Sequence, residues 1–421
     1  MQLFSSKYFI LSVVCAMLCV ACSDDDGTSQ KVNLYVANDV EDDLPTYTGL
    51  PIVEIRTEDG QTLTDKETWK TASITFHGMG EYDDFTDEVL IKGRGNSTFK
   101  RPKLPFNLKF SSKRSWLGMK KSKHWAFLAN YYDPTLIRND LTFYLGKLIS
   151  HLEWTPSGEF VELVFNGHHV GNYYVTERIK VESNRLNIKE IKEEDADILT
   201  GGYLVEVDKW FDEINQFKTT INQWPICIKS PDEEWCTAEH VAYISTYINT
   251  LEKHLQEGRF DQVHELIDMP SFVDYYIIQA FCGNPDFDKE RSVFCYKNRN
   301  GKLYAGPLWD FDYGTYVLTQ ENLHRDCLWY KYLFNDPLFV TMLKERWAEL
   351  EEILCQEALA HIQQRERELA ASAAANFLIF PPPSKSVSRN RKDRKWDEAV
   401  AAMKAYIPQR KAYLDTFING L

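Results

Sequence analysis

Strand patterns fill the first half of this 421-residue chain, and helical patterns fill the second. Short runs rich in β-branched and aromatic residues, separated by turn residues, lie at 51–56, 72–76, 88–92, 104–110, 160–165 and 170–175. Apolar residues recur every three or four positions at 237–257, 270–282, 336–376 and 393–419. Because strands and helices are segregated, the sequence predicts an α+β protein rather than an alternating βαβ sheet. We expect a strand-rich half at 49–208, a helical half at 209–421 and a cleft between them.

Two local signals refine the strand-rich half. The Asn166-Gly167 pair stands between two strand patterns and predicts a two-residue hairpin turn. One helical pattern, at 134–149, interrupts the strands.

The N-terminus is typical of a secretory signal. Lys7 precedes an apolar run at 8–20, which is shorter than the roughly 20 residues that a membrane-spanning helix needs. Ala21-Cys22 is typical of a lipoprotein processing site, so we expect a signal peptide at 1–22, lipidation of Cys22 and an acidic tether at 23–48. The acidic residues after Cys22 resemble the export tag of Bacteroides-type lipoproteins. An alternative is ordinary cleavage near Ala21 and release.

These features predict an exported protein of the outer membrane or cell surface, which contacts the membrane through its N-terminal lipid only. The net charge of −14 and the absence of a long basic run outside 100–121 argue against nucleic acid as a partner. Six cysteines remain after the signal, none of them in a C-x-x-C spacing, which argues against a zinc site. A disulfide between Cys227 and Cys236 and buried free thiols both remain open.

A glycine turn followed by a basic segment is the first candidate for chemistry. Backbone amides of the turn can point at an anion, and a lysine on the returning strand can reach the same place. The residues of this predicted phosphate-binding site are Gly93, Arg94, Gly95, Asn96, Ser97 and Lys109. The alternatives are an ordinary hairpin turn and, for Lys109, a solvated lysine of an edge strand.

Two acidic clusters are the second candidate. Asp286 and Asp288 follow a helix that is apolar nearly all round, and Asp310 and Asp312 follow a predicted hairpin at 292–308. A hairpin brings its two ends together, so these carboxylates are expected to converge on a hard divalent cation. The alternatives are a calcium-stiffened loop or plain turn chemistry.

Several segments together resemble the spore coat protein H (CotH) family of atypical kinases. They are Arg94-Gly-Asn-Ser-Thr-Phe, Lys103-Leu-Pro-Phe-Asn-Leu-Lys, Ala129-Asn-Tyr-Tyr-Asp-Pro-Thr-Leu-Ile-Arg-Asn, 161–167, 171–179, 201–208 and Gly306-Pro-Leu-Trp-Asp-Phe-Asp-Tyr-Gly. The resemblance covers about residues 50–315 in one order and places a kinase-like domain at 49–421. It implies a two-lobe kinase-like fold, ATP with Mg²⁺, and phosphorylation of serine or threonine on a protein substrate.

The resemblance also assigns roles. Asp286 matches the catalytic aspartate and Asp310 the metal ligand, with Asp312 and Asp288 as further candidate metal ligands and Lys109 as the ATP lysine. The chain departs from the family pattern at 284–292, which is one residue longer and leaves Asp288 as a rival to Asp286. Because ATP is scarce outside a cell, an inactive kinase-like protein that binds a glycan or protein is the alternative function. A purely structural adhesin, with no pocket between the halves, is a third class.

Overall fold

Seven strands of the first half close into a barrel in this computed structural model, which describes residues 44–195, 197–317, 323–381 and 395–421. The strands are β1 (Ile52–Thr57), β2 (Lys70–His77), β3 (Phe85–Gly93), β4 (Phe106–Trp116), β5 (Met119–Leu128), β6 (Gly158–Phe165) and β7 (His168–Glu177). They follow one another around the barrel in the order β1-β2-β3-β4-β5-β7-β6. The predicted Asn166-Gly167 turn joins β6 to β7, where Phe165 pairs with His168.

Aromatic side chains fill the barrel. Every second residue of β2, including Phe76, is buried, as expected for a strand with one face toward a core. The ring of Trp116 lies 5.6 Å from those of both Phe76 and Phe110 and 5.7 Å from that of Trp125, in edge-to-face contacts. The interior is therefore a packed core and not a channel.

The α+β class and the order of a strand-rich half before a helical half are confirmed. The kinase-like two-lobe arrangement is not what the strands form, because the first half is a closed barrel. Closure comes from β6, which pairs in parallel with β1 from Ile52 opposite Glu162 to Ile55 opposite Phe165. This pairing leaves neither β1 nor β6 with an open edge.

A second, five-stranded sheet lies outside the barrel. Its strands are β8 (Tyr203–Val207), β9 (Gln216–Lys218), β10 (Pro225–Ser230), β11 (Val293–Lys297) and β12 (Leu303–Ala305), in the order β12-β11-β8-β10-β9. The predicted hairpin of the second half is β11 and β12. The central strand β8 pairs with β10 on one side and β11 on the other, so the sheet joins segments from both halves of the sequence.

Seven helices complete the described part of the chain. They are α1 (Arg138–Leu148), α2 (Ala238–Gln256), α3 (Phe260–Leu266), α4 (Met269–Cys282), α5 (Tyr330–Leu333), α6 (Pro337–Ile379) and α7 (Trp396–Asn419). The Asp268 side chain accepts a hydrogen bond of 3.0 Å from the Ser271 amide and begins α4, and Gly283, with a φ of 63°, ends it. As predicted, α4 is buried almost all round and carries the first acidic cluster at its end.

The 43-residue helix α6 connects several parts of the fold. It packs against α7, α4, α1 and β7. Arg365 on α6 binds the Asp140 carboxylate of α1 at 2.9 Å. The Asn172 side chain on β7 donates a 2.9 Å hydrogen bond to the Ser372 hydroxyl on α6. One helix therefore holds both the barrel and the helix that follows β5.

The predicted signal peptide, Cys22 and residues 23–43 of the tether lie outside the described residues. The last described part of that predicted tether, Thr46–Thr48, forms a 3₁₀ turn that contacts α6. Among the helices that the structure describes, none has the length and apolar character to cross a membrane. The six cysteines beyond residue 22 are free thiols, so Cys227 and Cys236 are not bonded to each other, and five of the six are buried.

Candidate active site

A cleft of about 950 Å³ lies between the barrel and the five-stranded sheet. The glycine turn after β3 lines it from the barrel side, and Glu206 on β8 lines it from the sheet side. Asp286, Asp310 and Asp312 line it between them. The structure thus brings together the predicted phosphate-binding turn and three of the four predicted acidic residues.

The glycine turn has the tight backbone that an anion site needs. A Cβ at Gly93 would lie 2.5 Å from the backbone oxygen of Asp65, and Gly95 has a φ of 81°, so neither position accepts a larger residue without strain. The Arg94 amide donates to the Pro105 carbonyl at 3.2 Å, which ties the turn to the start of β4. Lys66 donates a 2.7 Å hydrogen bond to the Asn96 side chain and adds a cation beside the turn.

The side chain of Arg94 is a half-buried cation of the cleft. Its guanidinium lies 5.3 Å from the ring centroid of Trp309. Burial lowers the pKa of Arg94, while the charges of Asp310, Asp312 and Glu206 raise it. The sequence predicts a role only for the backbone of Arg94. Because β3 ends at Gly93, the alternation of its side chains does not predict which way the Arg94 side chain points.

Asp310 is held in a strained conformation. Its φ of 67° lies in the left-handed region that non-glycine residues rarely occupy. The Ser292 hydroxyl donates to its carboxylate at 3.4 Å, a long contact. Burial, and then the charge of Asp286, raise the pKa of Asp310 to about 6, although Arg94 opposes them. The negative charge of the Asp310 carboxylate is therefore only partly balanced by the protein's own cations.

Residues at the start of α1 fix the loop that carries Asp310 and Asp312. The Phe311 amide donates to the Asn139 side chain at 2.7 Å, and Arg138 donates to the Asp312 carbonyl at 3.0 Å. Burial, and then the neighbouring Asp310, raise the pKa of the Asp312 carboxyl. Arg138 and Asn139 belong to a segment that carries the family resemblance, but no pattern in the sequence predicts this role for them.

Asp286 and Asp288 face different surroundings. The Asp286 carboxylate lines the cleft and accepts a 3.0 Å hydrogen bond from Arg291. Burial raises the pKa of Asp286, and Arg291 opposes this. Asp288 is not among the residues that line the cleft, and its carboxylate lies 2.8 Å from the ring nitrogen Nδ1 of His324.

Lys109 also lies outside the cleft lining. It stands on β4 opposite Leu90 and His124, two residues beyond Asn107, which does line the cleft. Seven other cations besides Arg94 line the cleft, namely Lys66, Lys92, Arg101, Arg178, Lys180, Lys229 and Arg291. They come from separate parts of the chain, so sequence spacing alone does not reveal that they meet.

The carboxylates fit a hard divalent cation. In the described ranges, no three His, Cys, Asp or Glu side chains stand as a ready-made metal-binding group. Asp310 and Asp312 nevertheless supply oxygen donors of the kind that Mg²⁺ prefers. Burial, and then repulsion by a neighbouring carboxylate, raise the pKa of each of them. A bound cation would neutralise this repulsion between carboxylates. Mg²⁺ commonly takes only one or two protein carboxylates.

Apolar side chains also line the cleft. They are Ile179, Val181, Leu204, Ile228 and Phe294. The Glu206 carboxylate lies 3.1 Å from the Lys229 amine. Burial raises the pKa of Glu206 to about 7, and Lys229 opposes the shift. The lining of the cleft therefore combines apolar, cationic and acidic side chains.

Comparison with protein-family models gives a match over most of the chain. The family model described as CotH kinase protein matches residues 91–414, which is more than half of the chain. The matched range begins within β3 and includes the glycine turn and both acidic clusters. No curated protein matches the chain.

Proposed function

Because the chain belongs to the CotH kinase family, we propose that it is a phosphotransferase that uses ATP and Mg²⁺ to phosphorylate serine or threonine of a protein substrate. The observation that carries the proposal is the convergence of the glycine turn, Arg94, Asp286 and Asp310 in one cleft. This arrangement supports the proposal because phosphoryl transfer requires groups that hold the phosphates, a cation beside them and carboxylates for a metal ion and for the acceptor hydroxyl.

The nucleotide lies along the cleft in this proposal. Its base packs against the apolar side chains of Leu204 and Ile228. Its phosphates lie on the backbone amides of 95–97, because the Arg94 amide already donates to the Pro105 carbonyl, and the Arg94 guanidinium lies beside them. The prediction that Lys109 is the ATP lysine remains a prediction, and Arg94 is the cation whose position supports this role better.

Asp286 orients the acceptor hydroxyl. The acceptor oxygen forms a bond to the γ-phosphorus, the bond from that phosphorus to the β-γ bridging oxygen breaks, and ADP leaves with the bridging oxygen. The acceptor proton passes to the Asp286 carboxylate, whose pKa burial raises toward the working range of a base. Arg291 holds this carboxylate in place.

Asp310 and Asp312 are the residues that would hold Mg²⁺. The bound ion supplies charge neutralisation on the phosphates. The strained backbone at Asp310, the Asn139 contact to Phe311 and the Arg138 contact to Asp312 keep the two carboxylates aimed at one place, so that little reorganisation is needed during transfer. Asp288 remains a predicted further metal ligand. Its carboxylate would have to leave His324 before it could bind the ion.

We also propose export and lipid anchoring at Cys22, which rest on the N-terminal sequence alone. The protein substrate and the phosphate donor would then both have to reach the outer membrane or cell surface. A kinase-like protein that binds a protein or glycan without phosphoryl transfer is the contrasting function, and it predicts that ligand binding survives the loss of Asp310.

Calorimetric titration of the protein with ATP and Mg²⁺ tests the proposal. We expect binding by the wild type and a loss of at least tenfold in affinity for Asp310→Ala, since one ligand of the ion is removed. Asp261→Ala, an exposed aspartate on α3, is the matched control and keeps wild-type affinity. A folded wild type that binds no Mg-ATP would refute the phosphotransferase and favour the binding protein.

A further inference from the structure

Two exposed apolar side chains line the cleft. Trp210 is 47% exposed and Ile214 is 72% exposed, and both belong to the segment 209–215 between β8 and β9. Of the large apolar side chains that are exposed in the described part of the chain, only these two line the cleft. Exposed apolar groups that cluster at a functional cleft are typical of a binding surface.

The segment is fixed to the rest of the site by its backbone. At one end the Lys209 amide donates to the Glu290 carbonyl at 2.8 Å, and the Trp210 amide donates to the Asp208 side chain at 3.0 Å. At the other end the Ile228 amide donates to the Asn215 carbonyl at 2.9 Å. The two apolar side chains are thus presented by an ordered backbone, which lowers the entropy cost of binding.

Trp210 is connected to the catalytic carboxylate through one residue. The guanidinium of Arg291 lies 6.0 Å from the Trp210 ring centroid and donates a hydrogen bond of 3.0 Å to Asp286. An extended polypeptide advances about 3.3–3.6 Å per residue. A polypeptide whose hydroxyl reaches Asp286 therefore places a side chain over Trp210 within about three residues of the acceptor.

We infer that Trp210 and Ile214 form the surface that recognises the acceptor polypeptide, by contact with an apolar side chain within three residues of the phosphorylated serine or threonine. The inference rests on the proposed function and narrows its substrate class. An extended polypeptide is the occupant that the geometry favours, because Arg291 contacts the Trp210 ring and also binds the carboxylate that receives the acceptor hydroxyl. In the proposed function the nucleotide base has its own apolar contacts, Leu204 and Ile228.

The test is phosphate transfer by the full chain to an alanine-rich peptide with one serine, in which leucine replaces alanine at one position at a time on either side. We expect one or two positions at which leucine raises kcat/KM about 5- to 10-fold, mainly through KM, as for a modest apolar contact. Ile214→Ser and Trp210→Ala should bring the ratio of kcat/KM for the leucine peptide to kcat/KM for the alanine peptide toward 1. Ile353→Ala removes an apolar side chain of similar exposure, 49%, from α6 and should leave the ratio unchanged.

Two results overturn the inference in distinguishable ways. A wild type that phosphorylates the peptides with no preference for leucine at any position, or a preference that survives in Ile214→Ser, shows that this surface does not recognise the acceptor. Ile214 has a largely free side chain, so this variant tests the surface without disturbing Arg291. A wild type that binds Mg-ATP and phosphorylates none of the peptides overturns the assignment of a polypeptide acceptor, and the inference with it.

Discussion

Replacement of Asp310 by asparagine is expected to stabilise the protein in the absence of metal while it abolishes Mg-ATP binding. The Asp310 carboxylate is buried beside Asp286, and its pKa is about 6 in the folded protein against 3.8 for the free side chain. Each pKa unit corresponds to about 1.4 kcal/mol, so the charged form costs folding up to roughly 3 kcal/mol. Asn keeps the shape of Asp310 and removes the charge.

The expected gain is smaller than that limit, because the charge of Arg94 loses a partner in the variant. We expect the free energy of unfolding to rise by about 1 to 3 kcal/mol at pH 8, as measured by urea denaturation in EDTA with an unchanged m value. Mg²⁺ should stabilise the wild type and leave Asp310→Asn unaffected.

The stability difference between Asp310→Asn and the wild type should depend on pH. A raised folded-state pKa means that the folded protein binds the proton of Asp310 more tightly than the unfolded chain does. The difference in the free energy of unfolding between the variant and the wild type should reach its maximum above about pH 6. It should shrink as the pH falls and be nearly absent below about pH 4. A variant less stable than the wild type at pH 8, or a difference that does not shrink between pH 8 and pH 4, would refute the reasoning.

Three further predictions concern the residues around this carboxylate and the barrel. Arg138→Met removes the buried cation that lies 3.3 Å from Asp133 and should lower the free energy of unfolding by about 3 to 5 kcal/mol in urea denaturation; a change below 1 kcal/mol would contradict the buried ion pair. Arg94→Ala should weaken Mg-ATP binding in calorimetry by tenfold or more, and more than Lys109→Ala does; the reverse order would restore the sequence-based assignment of Lys109. Gly167→Ala should lower the free energy of unfolding by about 1 kcal/mol, because Gly167 has a φ of 84°, and should leave Mg-ATP affinity unchanged; an unchanged stability would show that the β6–β7 turn tolerates a side chain.

Much of the site was predictable because its parts are local in sequence. The caps of α4, Asp268 and Gly283, are read directly from the chain, and they place Asp286 just beyond a buried helix. The β11–β12 hairpin brings the loop with Asp310 back to that helix end. Short-range signals of this kind suffice to predict that the two acidic clusters meet.

The long-range contacts were not predictable in the same way. Closure of the barrel depends on the pairing of Ile52 with Glu162, residues that no turn signal connects, so a kinase-like strand-rich lobe was expected. The strand β5 was missed because its first half, from Met119, is rich in lysine and the strand is continuously buried only from Trp125 onward. His324, from a segment distant in sequence, contacts the Asp288 carboxylate, and no spacing rule predicts that contact.

The connections made by α6 limit how this cleft can open. At 1.5 Å per residue the helix is roughly 65 Å long, and it binds Asp140 on α1 at one place and Asn172 of the barrel at another. The glycine turn belongs to that barrel, and the loop of Asp310 is fixed by α1. Rotation of one half against the other would break these contacts together, so we expect any opening and closing of the cleft to involve side chains and short loops at its mouth.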